Sequence, residues 1–175
     1  MPTSGLGNKF LIFNFVEDVR TQFIVIGKTV SKPLGQMIDD YIGRISHFVP
    51  FAMEVIPELK NAKALSREQQ KAAEGKALLA RLKPSDHVVL LDERGTLRSS
   101  LDFAAYVQRQ HDSPAQRIVF VVGGPYGFSP DVYQRADDKV SLSPMTFSHQ
   151  MVRLLFVEQY YRALTIIHHL PYHHQ

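Results

Sequence analysis

Arg117-Ile118-Val119-Phe120-Val121-Val122-Gly123-Gly124-Pro125-Tyr126-Gly127 is the stretch that decides the fold. One cation is followed by five apolar residues in a row, four of them β-branched. A strand with one wet face alternates polar and apolar, so an unbroken run marks a strand buried on both faces, as in a parallel sheet covered by helices. The glycines that follow let the chain turn sharply and approach a neighbour closely. Ser129-Pro130 then offers a cap and a first-turn proline, the signature of a short helix.

Working outward, residues 87–91 repeat the continuous apolar pattern after His87 and read as a third strand. Residues 22–26 form a β-branched run ending at Gly27, residues 51–56 one closed by Pro57, and residues 139–142 a short fifth strand. Helices fall between them. Leu34, Met37, Ile38, Tyr41, Ile42 and Ile45 have helical spacing within residues 34–48. Ser66 with Gln69 has the form of a capping box, opening a helix to about residue 82 before Lys83-Pro84. Ser99 caps a helix to about residue 110, and a last helix spans residues 150–167. This alternation predicts an α/β layer fold with a mostly parallel sheet. Residues 22–175 read as one domain. Residues 1–21, where Ser4, Gly5, Gly7 and Asn8 break any periodicity, read as a loosely ordered N-terminal extension.

Composition excludes several classes. The 175 residues contain no cysteine, which removes disulfides, thiolate zinc sites and cysteine nucleophiles and fits a reducing compartment such as the cytoplasm. No apolar run approaches the roughly 20 residues of a membrane span. A net charge of +3 allows an anionic partner such as RNA. Four histidines, His168, His169, His173 and His174, crowd the tail, yet no carboxylate lies among them and a short tail is a poor rigid frame, so no metal is expected.

In open α/β sheets ligands bind beyond the carboxyl ends of the strands. Three such ends are distinctive: Leu91-Asp92-Glu93-Arg94-Gly95, the glycine turn at 123–127, and Leu142-Ser143-Pro144-Met145-Thr146-Phe147. The glycine turn alone reads more simply as a tight strand-to-helix turn with no ligand. It is no phosphate loop, because no Lys-Ser/Thr pair follows and its spacing is not G-x-G-x-x-G. The loop 142–147 joins apolar side chains to exposed amides, which suits a flat heteroaromatic, although by themselves Met145 and Phe147 read more simply as a cover for the sheet edge. The last helix is apolar nearly all round, which predicts burial on two sides, one of them against a second copy of the chain in a two-fold dimer. His149 at its mouth is a candidate base, and Arg153 one turn on is a candidate phosphate contact or a solvated face.

These segments resemble a known family. Val25-Ile26-Gly27-Lys28, Phe120 to Gly127, Leu142 to His149, Val152-Arg153 with Glu158-Gln159-Tyr160-Tyr161-Arg162-Ala163, and the ending Pro171-Tyr172-His173 occur in the order found in the RlmH family. Its members are ribosomal RNA methyltransferases of the SPOUT superfamily. The resemblance runs from about Gln22 to Gln175. It implies a SPOUT-type α/β fold with a C-terminal trefoil knot, a homodimer, and transfer of methyl from S-adenosylmethionine to N3 of a pseudouridine in large-subunit (23S) ribosomal RNA, on the large subunit or the assembled ribosome.

Carried over by position, the resemblance places the cofactor against Leu91, Gly123, Gly124 and Leu142, Ser143, Pro144, Met145, Thr146 and Phe147. His173 and Tyr172 become the candidates for removing or orienting the N3 proton, with His149 behind them and Arg153 on a phosphate. The tail departs from some relatives at Leu170, where they carry histidine before the proline. Two competing readings are a SPOUT methyltransferase with another RNA target and a non-catalytic RNA-binding ribosome-assembly factor. A nucleotide-binding α/β protein, which prefers ATP, is a third.

Overall fold

The computed structural model describes residues 20–174. The extension expected over residues 1–21 lies outside the described residues except at Arg20 and Thr21, and Thr21 already belongs to the first strand. The elements are β1 (Thr21–Ile26), α1 (Lys32–Ile45), β2 (Phe51–Ile56), α2 (Arg67–Leu79), β3 (Asp86–Leu97), α3 (Ser100–His111), β4 (Arg117–Val121), α4 (Pro130–Arg135), β5 (Asp138–Ser141) and α5 (Met151–Ile167). The sheet order is β2-β1-β4-β3-β5, and every pairing is parallel. The run read as doubly buried is therefore the central strand, and the sheet is wholly rather than mostly parallel.

The strands bury alternate residues on opposite faces. Phe23, Val25, Val89, Leu91, Phe120 and Val122 pack against α1, α3 and α5, whereas Ile24, Ile26, Val88, Leu90, Val119 and Val121 pack against α2 and α4. On the first face Phe120 meets Phe156 at 4.8 Å and Tyr160 at 5.6 Å between ring centroids. Each such side chain contributes about 1.5–3 kcal/mol by leaving water. At the amino edge, the fully buried Tyr160 hydroxyl lies 2.9 Å from both Thr21 Oγ1 and His111 Nε2.

Local signals in the sequence locate the helix starts. Ser66 and Gln69 form both bonds of the capping box, and Ser99 and Ser129 accept from Asp102 and Val132 backbone amides. Two boundaries differ from expectation. Ser31 caps α1, so that helix starts before Leu34 and ends at Ile45. More consequential, β3 does not stop at Leu91. It bulges between Leu91 and Thr96 and pairs again with β5 as far as Leu97. Gly95 permits this, because a Cβ there would stand 2.6 Å from the Val140 carbonyl carbon.

The apolar circumference of α5 is largely spent within the chain. Phe156, Val157, Tyr160, Ala163 and Leu164 face the sheet, while α1 and α3 flank the helix and partly cover Leu154, Tyr161, Ile166 and Ile167. Two-sided burial is thus met by neighbouring helices, and the helix composition by itself does not call for a second subunit. To reach α5 from the edge strand β5, the chain crosses the carboxyl ends of β3 and β4. It is fastened beside β1, where Gln150 accepts from the Val30 amide and donates to the Lys28 carbonyl, both at 3.0 Å.

Candidate active site

The three strand ends singled out above converge on one cavity of about 480 Å³, within the range of roughly 300–1,000 Å³ that holds a compact organic ligand. Leu91, Val122, Val140 and Phe128 give it an apolar interior, and Gly123 and Gly124 form one wall. That wall is close-fitted. A Cβ on Gly123 would lie 3.2 Å from the Gly127 backbone, and one on Gly124 would lie 2.2 Å from Glu74 Oε2. Pro125 and Gly127 take the second and fourth positions of a turn closed by the Gly127 amide donating to the Gly124 carbonyl at 3.1 Å, with φ of Gly127 at +79°.

The opposite wall is the loop after β5. Leu142, Ser143, Met145, Thr146 and Phe147 line the cavity, as does His149, while Pro144 does not. Ser143 Oγ accepts from the Met145 amide at 2.9 Å, which shapes the loop. The Thr146 hydroxyl donates to Glu93 at 2.7 Å, tying the loop to the extension of β3 across the rim. The Tyr133 hydroxyl donates to Asp92 at 2.5 Å; burial and that carboxylate push the phenol up to about 12. The cavity therefore offers an apolar slot, backbone edges and a rim of Asp92, Glu93 and Arg94. Such a slot accepts a flat heterocycle with a polar substituent, and nothing in it resembles a phosphate cradle.

Arg153 is not where a phosphate contact requires it. Its side chain is fully buried and donates to the Ile26, Gly27 and His149 carbonyls at 2.7, 2.8 and 3.0 Å and to Thr29 Oγ1 at 3.2 Å. Burial lowers its pKa, yet the carbonyls take up its donors. The residue is an anchor that holds the start of α5 on the end of β1.

The tail candidates assemble elsewhere. The Tyr172 hydroxyl lies 3.1 Å from Glu158 Oε1 and 3.1 Å from the Tyr41 hydroxyl, and Arg162 donates to Glu158 at 2.5 Å. Arg162 Nη1 also approaches His173 Nδ1 at 3.5 Å; since a guanidinium only donates, that nitrogen is the acceptor. Burial, then the neighbouring Tyr41 and Glu158, push the Tyr172 phenol up, so it stays protonated and donates. Glu158 lies about 10 Å further along α5 than Met151, and no member of this cluster lines the cavity.

A family model described as "Predicted SPOUT methyltransferase" matches residues 19–173, nearly the whole chain. The chain belongs to the SPOUT methyltransferase family. Among curated relatives it is 56% identical to a Porphyromonas gingivalis protein over 87% of this chain and 97% of the relative. It is 54% identical to one from Bacteroides thetaiotaomicron over 90% and 100%, and 51% identical to one from Flavobacterium johnsoniae over 88% and 98%. Each of the three is named Ribosomal RNA large subunit methyltransferase H.

For a SPOUT methyltransferase the cavity fits a methyl donor on its own evidence, with a close-fitted glycine wall and a buried carboxyl oxygen behind it lacking a partner. Sequence reading missed several groups here. Asp92, Glu93 and Arg94 stood in a segment that was singled out, but not as site residues. Glu158 and Arg162 stood in a segment that carries the resemblance, and their i, i+4 spacing was the signal that could have paired them. Glu74 had no signal beyond its place on α2.

Proposed function

We propose that this SPOUT methyltransferase transfers methyl from S-adenosylmethionine to N3 of a pseudouridine in large-subunit ribosomal RNA, acting in the cytoplasm on the subunit or assembled ribosome. The observation that carries the reading is the cavity at the carboxyl edge, bounded by the glycine turn and the loop 142–147, in a chain more than half identical to relatives named for that ribosomal activity. Leu91, Gly123, Gly124 and the loop residues Leu142, Ser143, Met145, Thr146 and Phe147 would hold the cofactor, Pro144 shaping the loop from outside. When bound, the cofactor supplies a methyl group already activated on a sulfonium. What remains for the protein is to place the ring nitrogen in line and remove its proton.

His173 is the candidate for the proton, which it can take at Nδ1 once Arg162 leaves that nitrogen. Tyr172, kept protonated, is a donor that orients the base rather than the group that takes its proton. His149 sits at the cavity and lies behind the transfer site.

The separation of tail and cavity supports a homodimer in which the cavity of one copy is completed by the tail cluster of the other. Exposed apolar side chains collect at the cavity end of the chain, with Met145 74% exposed and Val30 82% exposed, next to Met151 and Phe147. The C-terminal knot belongs to the same proposal. Chain passage from β5 across β4 and β3 to β1, fastened by Gln150, is its support.

The test is to incubate the protein with labelled donor and ribosomal subunits from a strain lacking the enzyme, then map the methyl group by mass spectrometry. Removing residues 171–175 should abolish transfer and spare donor binding. Full transfer by the shortened protein would remove the tail from the reaction, and absence of donor binding by the intact one would favour a non-catalytic assembly factor. Light scattering at micromolar concentration giving a monomer mass would refute the dimer.

A further inference from the structure

Behind the glycine wall lies a carboxyl group that the transfer does not use. Glu74 on α2 is 5% exposed; its Oε1 accepts from Gln70 Nε2 at 2.9 Å and its Oε2 has no hydrogen-bond partner. That free oxygen is the atom a Cβ on Gly124 would strike, so only a glycine Cα stands between it and the cavity. The next residue on α2 is equally close-fitted, since a Cβ on Gly75 would stand 2.2 Å from Ser129 Oγ. Consecutive residues of one helix thus meet the segment 124–129 near both its ends.

A buried carboxyl without donors favours its neutral form, whereas a cation nearby favours the charged one. Burial raises the Glu74 pKa; the Gln70 bond and His149 oppose this, and Glu58 adds to it. Those are the groups that face it, from α2 itself, from the approach to α5 and from the segment after β2. The methyl donor carries a sulfonium cation, and the thioether left after transfer does not.

We propose that Glu74 is the counter-charge of the cofactor slot, a positioning residue whose carboxyl gives up its proton to solvent as a sulfonium binds beyond Gly124, so that the slot favours the charged donor over the neutral thioether product. The inference rests on reading the cavity as an S-adenosylmethionine site. Because the empty protein holds this proton above the usual carboxylate range, donor affinity rises with pH through that window, and donor binding releases a proton.

Calorimetry tests this with S-adenosylmethionine and S-adenosylhomocysteine in buffers of different ionisation enthalpy. The pH is varied upward from the ordinary glutamate range and kept below the roughly 7.7–8.0 where an α-amino group titrates. Wild type and His149→Asn should release a proton on binding the donor, and Glu74→Gln should not. Glu74→Gln should also bind the donor about tenfold more weakly, the effect of one pKa unit of coupling, with product affinity unchanged. Proton release that persists in Glu74→Gln or vanishes in His149→Asn overturns the proposal, as does equal weakening of donor and product. If Glu74→Gln does not fold, Gln70→Met, which removes the bond that opposes the raised pKa, should move the proton release to higher pH, and no movement overturns the proposal. Wild-type binding of the donor without proton release removes the role of Glu74 alone, whereas binding of neither ligand removes the reading of the cavity with it.

Discussion

Replacing Arg153 by Met separates an anchor from an RNA contact. The guanidinium makes four hydrogen bonds, three to backbone carbonyls and one to Thr29. At about 1.5 kcal/mol for each bond to a charged group their gross loss is roughly 6 kcal/mol. Relief of a buried charge returns part of this, and the methionine stem refills most of the space, so the net cost is about 3–4 kcal/mol. In a chain of this length that lowers Tm by about 6–16 °C. Arg153→Lys should recover only part, because one ammonium cannot reach carbonyls from both β1 and the start of α5 in the fork geometry.

The assay pairs thermal unfolding with RNA affinity measured against salt. A lost phosphate contact reduces the slope of log affinity against log salt by about 0.7–0.9, whereas loss of an anchor leaves it unchanged. A Tm within about 2 °C of wild type together with a reduced slope would refute the structural assignment and return Arg153 to the phosphate.

Thr146→Val removes the tether to Glu93 at 2.7 Å. The loss of one partly exposed bond, about 0.5–1.5 kcal/mol, should weaken donor binding several-fold with little change in Tm; unchanged affinity by calorimetry would show that the loop closes without it. His111 has its pKa lowered by burial, then by Arg20 and His168, with Asp112 opposing. The unfolded chain therefore takes up a proton near pH 6.5 that the folded one refuses, and stability falls as pH drops through about that value. His111→Gln should flatten that part of the Tm profile, and an unaltered profile would clear His111 of it.

What was legible in the sequence was what chemistry writes locally. Arg117 to Gly127 declares a doubly buried strand and its turn, because five apolar residues leave no wet face. Ser66, Ser99 and Ser129 declare helix starts because a cap bonds within three residues. The extension of β3 was hidden for the opposite reason. Asp92 to Leu97 has no apolar alternation, and it pairs with β5 through backbone once Gly95 allows the approach. Arg153 and Glu74 were hidden more deeply. On a helical wheel each is an ordinary charged position, and only the arrival of the β1 carbonyls at one and of Gly124 at the other makes them buried. The loop 142–147 was found as a segment, but its closure through Thr146 to Glu93 is a contact across 53 residues of chain that no local pattern announces.

The division of the site along α5 leads to a decisive mixing experiment. Arg153 fixes the start of the helix at β1 and so places His149 at the cavity, whereas Glu158 and Arg162 hold Tyr172 and His173 away from it. In the proposed reading one chain carries both halves of the reaction centre without joining them. If the halves meet across a two-fold axis, a subunit lacking residues 171–175 and a subunit with Gly123→Val are each inactive, the second because the added side chain presses on the Gly127 backbone and the Phe128 ring in the cavity lining. Mixed in equal amounts and allowed to exchange, half the dimers are hybrid and each hybrid has one intact composite site, giving about one quarter of wild-type activity. Should each tail instead fold over onto its own cavity, every mixture stays inactive, because no chain holds both parts. Recovery near a quarter with neither parent active requires a shared site, and a flat zero in subunits shown to exchange excludes one.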